Sequence, residues 1–207
     1  MFRLIRSDVR RKALWCFQSD RWSAILKTRL TDGTAAMFWY RLMQWAGRWH
    51  LAPLEMAFNK MNAICCNCII GRGAQFGSGF VLVHSTGVVI NGSVRGGSNI
   101  TIEHQVTIGA DRRRSPVLGN DVFVGAGAKI LGEIRVGDGA RIGANAVAVE
   151  DVPAHSTVVG IPARVVRQRE APAAAQGSPG SAPSPASASA ASMSAPSAPE
   201  LGAAHPQ

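Results

Sequence analysis

A chain of 207 residues can bury one sizeable core and carry an appendage, but it falls short of two full domains. Its formal charge is +9, and residues 1–60 hold 11 Lys and Arg against 4 Asp and Glu, a balance of +7 that leaves the remainder nearly neutral. Such asymmetry fits nucleic acid, an anionic membrane face, an acidic ligand or plain solubility. Cys16, Cys65, Cys66 and Cys68 form no zinc or disulfide pattern, and no basic start leads into an apolar run of signal-peptide length, so reduced thiols in a cytoplasmic protein are expected.

From Met1 to about Leu30, basic residues alternate with scattered apolar ones at spacings that predict one or two short amphipathic helices. Asp32-Gly33-Thr34 reads as a turn and N-cap ahead of a helix over residues 35–45. The apolar part of that run stops at Arg41, well short of the roughly 20 residues that span a bilayer. Trp39, Trp45 and Trp49 among basic residues suit either a membrane interface or packing on a neighbouring helix. Pro53 breaks the chain and residues 54–63 predict a last helix, which closes an N-terminal helical region over 1–63.

Beyond it an aliphatic or small residue returns every six positions, from Ile70, Phe76 and Leu82 through Val88, Val94, Ile100 and Val106 to Ile130, Val136, Ile142 and Ala148, with Arg112 as the one break. Glycine follows the marker at Gly71, Gly77, Gly119, Gly125, Gly137 and Gly143. A six-residue period is neither helical nor a strand alternation. It predicts a mainly β chain, a triangular prism of short parallel strands over residues 64–168, with glycines in turn conformations. The excursion Ala110–Pro116, carrying Arg112, Arg113 and Arg114, leaves the prism where loops place specificity. Residues 169–207 are Ala, Pro and Ser rich and read as a disordered tail.

The prism holds two histidines, His84 and His104, 20 residues apart, which a coil of about 18 residues would bring to one face. The hexapeptide repeat, the segment Gly125-Ala126-Gly127-Ala128-Lys129-Ile130-Leu131-Gly132 and the ending Gly160-Ile161-Pro162-Ala163-Arg164-Val165-Val166 resemble serine acetyltransferases and other left-handed β-helix acyltransferases. In His84-Ser85-Thr86-Gly87 the resemblance places the general base, so His84 is the leading catalytic residue, with His104 beside it. It further implies acetyl-CoA as co-substrate, with its arm along Ala126, Gly127, Gly143 and Ala144, and Lys129, Arg141 and Arg164 near its phosphates. Backbone N–H groups near Gly109 and Ala110 are the implied oxyanion donors, and Asn91 and Arg114 the implied acceptor contacts. A homotrimer is implied too. No metal is expected, because no His-x4-His spacing supplies a third histidine, and no nucleic-acid partner is expected. The basic N-terminal region is the candidate for peripheral membrane contact.

The sequence also departs from the family. The carboxylate that orients the histidine falls at Ile69, the aspartate before it at Val83, a substrate-binding glutamate at Gly92, and an Arg-His pair at Arg114-Ser115. Glu103 and Asp111 are the candidates to replace the orienting carboxylate. Losing charges suited to an amino acid's ammonium and carboxylate favours a neutral sugar hydroxyl. The expected activity is therefore acetyl transfer to a sugar in exopolysaccharide biosynthesis, the colanic-acid type that the sequence resembles, with serine O-acetylation in cysteine biosynthesis as the alternative.

Overall fold

The computed structural model describes residues 1–111 and 114–169. Arg112, Arg113 and the Ala/Pro/Ser-rich tail expected after the prism lie outside the described residues. Four helices come first: α1 (Phe2–Phe17), α2 (Trp22–Arg29), α3 (Thr34–Arg48) and α4 (Ala52–Cys66). The sequence ends the helical region at residue 63, but α4 continues to Cys66 and stops where Asn67 adopts a left-handed conformation. None of the described helices is long and apolar enough to cross a membrane. Trp39 packs on Phe58 of α4, so this tryptophan serves the helix pair.

Fifteen short strands, β1 to β15 in chain order, wind into a parallel β-helix with three faces. The first face stacks β1 (Cys68–Ile70), β4 (Val88–Ile90), β7 (Thr107–Gly109), β10 (Lys129–Leu131) and β13 (Val147–Ala148). The second stacks β2 (Gln75–Phe76), β5 (Arg95–Gly96), β8 (Val117–Leu118) and β11 (Arg135–Val136). The third stacks β3 (Val81–Leu82), β6 (Thr101–Ile102), β9 (Phe123–Val124), β12 (Arg141–Ile142), β14 (Ser156–Val159) and β15 (Arg164–Gln168). Every pairing is parallel except the last, where β15 folds back antiparallel on β14 and closes the end of the coil.

Inward positions alternate with outward ones, so most strands send one or two side chains to a dry axis, while β5 and β15 send none. Ile70, Ile90, Ile108, Ile130 and Ala148 stand above one another in register and are all buried. These pairs also correct the apparent single phase of the repeat. From Leu82 to Ile90 the chain spends eight residues where the next coil spends six from Ile102 to Ile108, and from Ile108 to Leu118 it spends ten. Two extra residues and then four extra make one hexapeptide. The phase lost at the first insertion is therefore restored at the second, and Val88 and Val106 are buried two residues ahead of Ile90 and Ile108, which carry the register.

The glycines after the markers serve a different purpose from the one expected. Gly125 has an ordinary φ, but a Cβ there would stand 2.8 Å from the backbone N of Ala144 on the next coil. It is kept small by close coil stacking. The left-handed positions form two separate columns, one at Gly87, Gln105, Gly127 and Asn145 and the other at Gly79, Asn99, Asp121, Gly139 and His155.

The helices plug the start of the coil. Tyr40 and Phe80 are fully buried beside Phe76, and the Tyr40 hydroxyl accepts the Phe76 N–H at 3.0 Å. Arg41 is buried with them, where it pairs with Asp8 of α1 at 2.6 Å and donates to the carbonyls of Phe76 and Gly77. Asp8 in turn accepts the N–H of Phe80. One buried ion pair thus ties α1, α3 and the first coil together, although burial itself pushes the Asp8 carboxyl up. Across the third face, Trp15 of α1 stacks on Phe123, which also carries the Arg141 guanidinium on its ring.

Candidate active site

The two residues inserted after Leu82 build the turn that carries His84. Ser85 is buried and donates to the carbonyl of Cys66, and Gly87 N–H donates to the carbonyl of Asn67. The longer turn is therefore anchored on the end of α4, and it lifts the imidazole out of the coil. His104 occupies the matching corner one coil on, with ring centroids 6.0 Å apart and the planes at 78°. Both histidines lie at the same corner, as their spacing predicted, although this coil takes 20 residues rather than about 18.

The partner of His84 comes from the helices. Asp32, in the connection between α2 and α3, places Oδ2 3.1 Å from His84 Nδ1. Its other oxygen accepts the Gly33 N–H at 2.8 Å, which fixes the carboxylate plane. Gly33 has φ 76°, and a Cβ there would stand 2.5 Å from the carbonyl oxygen of Leu82. Only glycine lets this connection press so closely on the strand that leads into His84. Behind it, Lys12 of α1 is fully buried and donates to the Asp32 carbonyl, and burial lowers its ammonium to about 8.

An ionised carboxylate can only accept, so the Asp32 contact assigns the Nδ1 proton and leaves Nε2 as the free acceptor. With half of the imidazole surface exposed, Nε2 is open to an incoming hydroxyl. Asp32 thus corrects the expectation that Glu103 or Asp111 would orient His84. Asp111 lies at a different corner, bridged to Arg114, and Glu103 precedes His104 without reaching the His84 ring. The sequence reads Asp32-Gly33-Thr34 as a turn and N-cap. In the structure Gly33 is the N-cap residue of α3, Thr34 is its first helical residue, and no side chain caps the helix.

The remaining candidates divide between two edges of the first face. Ala126, Gly127 and Ala144 continue the corner above His104, where Gly127 N–H donates to the His104 carbonyl and Asn145 N–H to that of Ala126. Gly143 begins the same turn one coil higher. Lys129 is bent back onto the carbonyls of Gln105 and Gly127, and Arg164 meets Glu150 at 3.2 Å. Arg141 faces the other way, onto Phe123. Gly109, Asn91 and Arg114 lie at the opposite edge of the face, where Asn91 accepts from Ser93, Ser93 and Ser115 share a hydroxyl hydrogen bond, and Arg114 pairs with Glu133. At about 3.3 Å per residue, the strand from Val106 to Gly109 separates the two edges by about 10 Å. A single chain therefore brings His84, His104 and the small-residue corner together, and does not bring Gly109, Asn91 or Arg114 to them. Among the described residues no group of three or more His, Cys, Asp and Glu could hold a metal ion.

Known proteins give this geometry a family. Residues 115–147 match the bacterial transferase hexapeptide (six repeats) family. The serine acetyltransferase of Helicobacter pylori strain J99 is 38% identical over 151 residues, which cover 71% of this chain and 86% of the relative. The chain belongs to the serine acetyltransferase family. It spans 62% of the length of the Mycobacterium tuberculosis serine acetyltransferase, with 38% identity over 142 residues that make up 67% of this chain. Among solved structures, soybean serine acetyltransferase complexed with serine aligns with TM-score 0.70 and 33% identity over 79% of this chain and 70% of its own. The Brucella abortus serine acetyltransferase in complex with coenzyme A aligns with TM-score 0.73 and 28% identity over 82% of this chain and 68% of its own.

These serine acetyltransferases overturn the exopolysaccharide reading. That reading rests on four departures, at Ile69, Val83, Gly92 and Ser115, and Asp32 makes good the first of them by supplying an orienting carboxylate from a different element.

Proposed function

We propose that this chain is an acetyl-CoA-dependent serine O-acetyltransferase with His84 as its general base. The observation that carries the reading is the exposed His84 imidazole held through Nδ1 by Asp32, in a family whose structures include complexes with serine and with coenzyme A. His84 Nε2 takes the proton of the serine hydroxyl as that oxygen attacks the thioester carbonyl. Asp32 stabilises the imidazolium that forms. The imidazolium then returns the proton to the departing thiolate, and the acetyl ester and free thiol leave. The corner formed by Ala126, Gly127, Gly143 and Ala144 suits a thin pantetheine arm that descends toward His84, and Arg164 can exchange Glu150 for a phosphate.

The same reading has three copies associate, with each site in the cleft between two neighbours. Outward aliphatic side chains on the first face, Ile69, Val89 and Leu131, are exposed in the single chain and suit burial between copies. A neighbour's Gly109 edge would then supply the backbone donors that stand too far from His84 in its own chain.

The test is thiol release from acetyl-CoA by the purified full chain, with and without L-serine. Serine-dependent release, lowered by about 10²–10⁴ in His84→Ala, is expected. Absence of any serine-dependent release would overturn the reading.

A further inference from the structure

The outer side of the α1 and α2 pair exposes large apolar side chains among cationic ones. Trp22, Ile25, Leu26, Arg29 and Leu30 share one face of α2 by helical spacing, and across a groove of about 580 Å³ stand Phe2, Arg6 and Arg10 of α1. Phe2 is 79% exposed, Trp22 78% and Leu30 89%, values far above those of an ordinary surface aromatic or leucine. Arg3, Arg6, Arg10, Arg21, Lys27 and Arg29 are exposed around them. Of the two acids on these segments, Asp8 is buried on Arg41 and only Asp20 reaches the surface, where it pairs with Arg10. Six cations against one acid leave this face at about +5.

We propose that the outer face of α1 and α2 docks on an anionic lipid surface. Charge decides between the possible occupants. A second copy of this chain would set one such cationic face against another, at a cost that rises as the interface dries. A nucleic acid would meet the cations but leave the protruding Phe2, Trp22, Leu26 and Leu30 side chains in water. A bilayer with anionic headgroups accepts both, with aromatic and leucine side chains entering the acyl boundary and arginines staying at headgroup level. The helices need not span anything to do so. The docked face ends at Leu30, two residues before Asp32, so the His84 corner would stand beside the headgroups.

The experiment is flotation of the full chain with phosphatidylcholine vesicles, with and without phosphatidylglycerol, at low and physiological salt. Binding is expected only with phosphatidylglycerol and should weaken as salt rises. Trp22→Ser with Leu30→Ser should lower binding at least tenfold. Arg6→Gln with Arg29→Gln should lower it by about fivefold per charge. Both double variants should keep wild-type serine-dependent turnover in solution. Equal binding to neutral vesicles, no binding to either vesicle, or variants that float like the wild type would each overturn the proposal. So would light scattering in which Trp22→Ser with Leu30→Ser reduces the particle mass, because the face would then be covered by another copy.

Discussion

Asp32 Oδ2 lies 3.1 Å from His84 Nδ1, across 52 positions of sequence, and joins a helical connection to the first turn of the coil. Asp32→Asn keeps the shape of the side chain but no longer demands a proton on Nδ1, so the imidazole can present the wrong tautomer. The expected result is a fall in kcat on the order of 10², with KM for acetyl-CoA unchanged. Steady-state kinetics with each substrate varied separately would check it.

Lys12 carries a cost that its position explains. Its folded ammonium is lowered to about 8 from an ordinary 10.5 because burial disfavours the charged form. At neutral pH the lysine is charged in both folded and unfolded chains, and the burial cost is fully present. As pH rises from about 8 to 10.5 the folded chain gives up the proton first, and the cost disappears. Lys12→Met should therefore be more stable than wild type by about 2 kcal/mol near pH 7, with the gap closing above pH 8. Its kcat should fall, since the Asp32 carbonyl loses its donor. Urea denaturation of both proteins across that pH range, set beside their kinetics, tests both halves.

Arg41→Met removes the partner of a buried aspartate and strands the carbonyls of Phe76 and Gly77. A loss of about 3–5 kcal/mol is expected. The double variant Asp8→Asn with Arg41→Met should recover part of it, because no unpaired charge stays inside. Denaturation of the single and double variants would show a coupling of at least 1 kcal/mol, about the lower range for contacting residues.

The thiols should separate by burial. Cys68 is fully buried and its thiol is pushed up to about 12, whereas Cys16 and Cys65 are exposed. Iodoacetamide at mildly alkaline pH should modify Cys16 and Cys65 in the native protein and reach Cys68 only after unfolding. Peptide mass spectrometry reads the sites directly.

The prism was legible because its repeat is dictated locally. Each coil needs an inward aliphatic residue and a small residue at the stacking points, and both leave a mark at a fixed interval. That the two histidines share a corner was legible for the same reason, since His84 and His104 fall at equivalent positions on successive coils. Asp32 was not legible in that way. Nothing local in a Thr-Asp-Gly-Thr segment says that it will press on Leu82, because the contact depends on how α1 and α3 seat on the first coil through Asp8, Arg41 and Tyr40. The choice of acceptor went astray with it. An account of charges confined to the coil positions Ile69, Val83 and Gly92 finds a deficit that a residue outside the coil partly fills.

The paired insertions bear on recombination with other members of the family. A crossover chosen by counting hexapeptides between Leu82 and Leu118, made with a coil that lacks these insertions, would join strands that are two residues out of step, which turns inward side chains toward the wrong coil position even though the repeat still reads as continuous. Crossovers below Leu82 or above Leu118 keep the ladder intact. The segment between them, with the His84 turn at one end and the Ala110–Pro116 excursion at the other, is therefore a cassette that transfers as a whole or not at all.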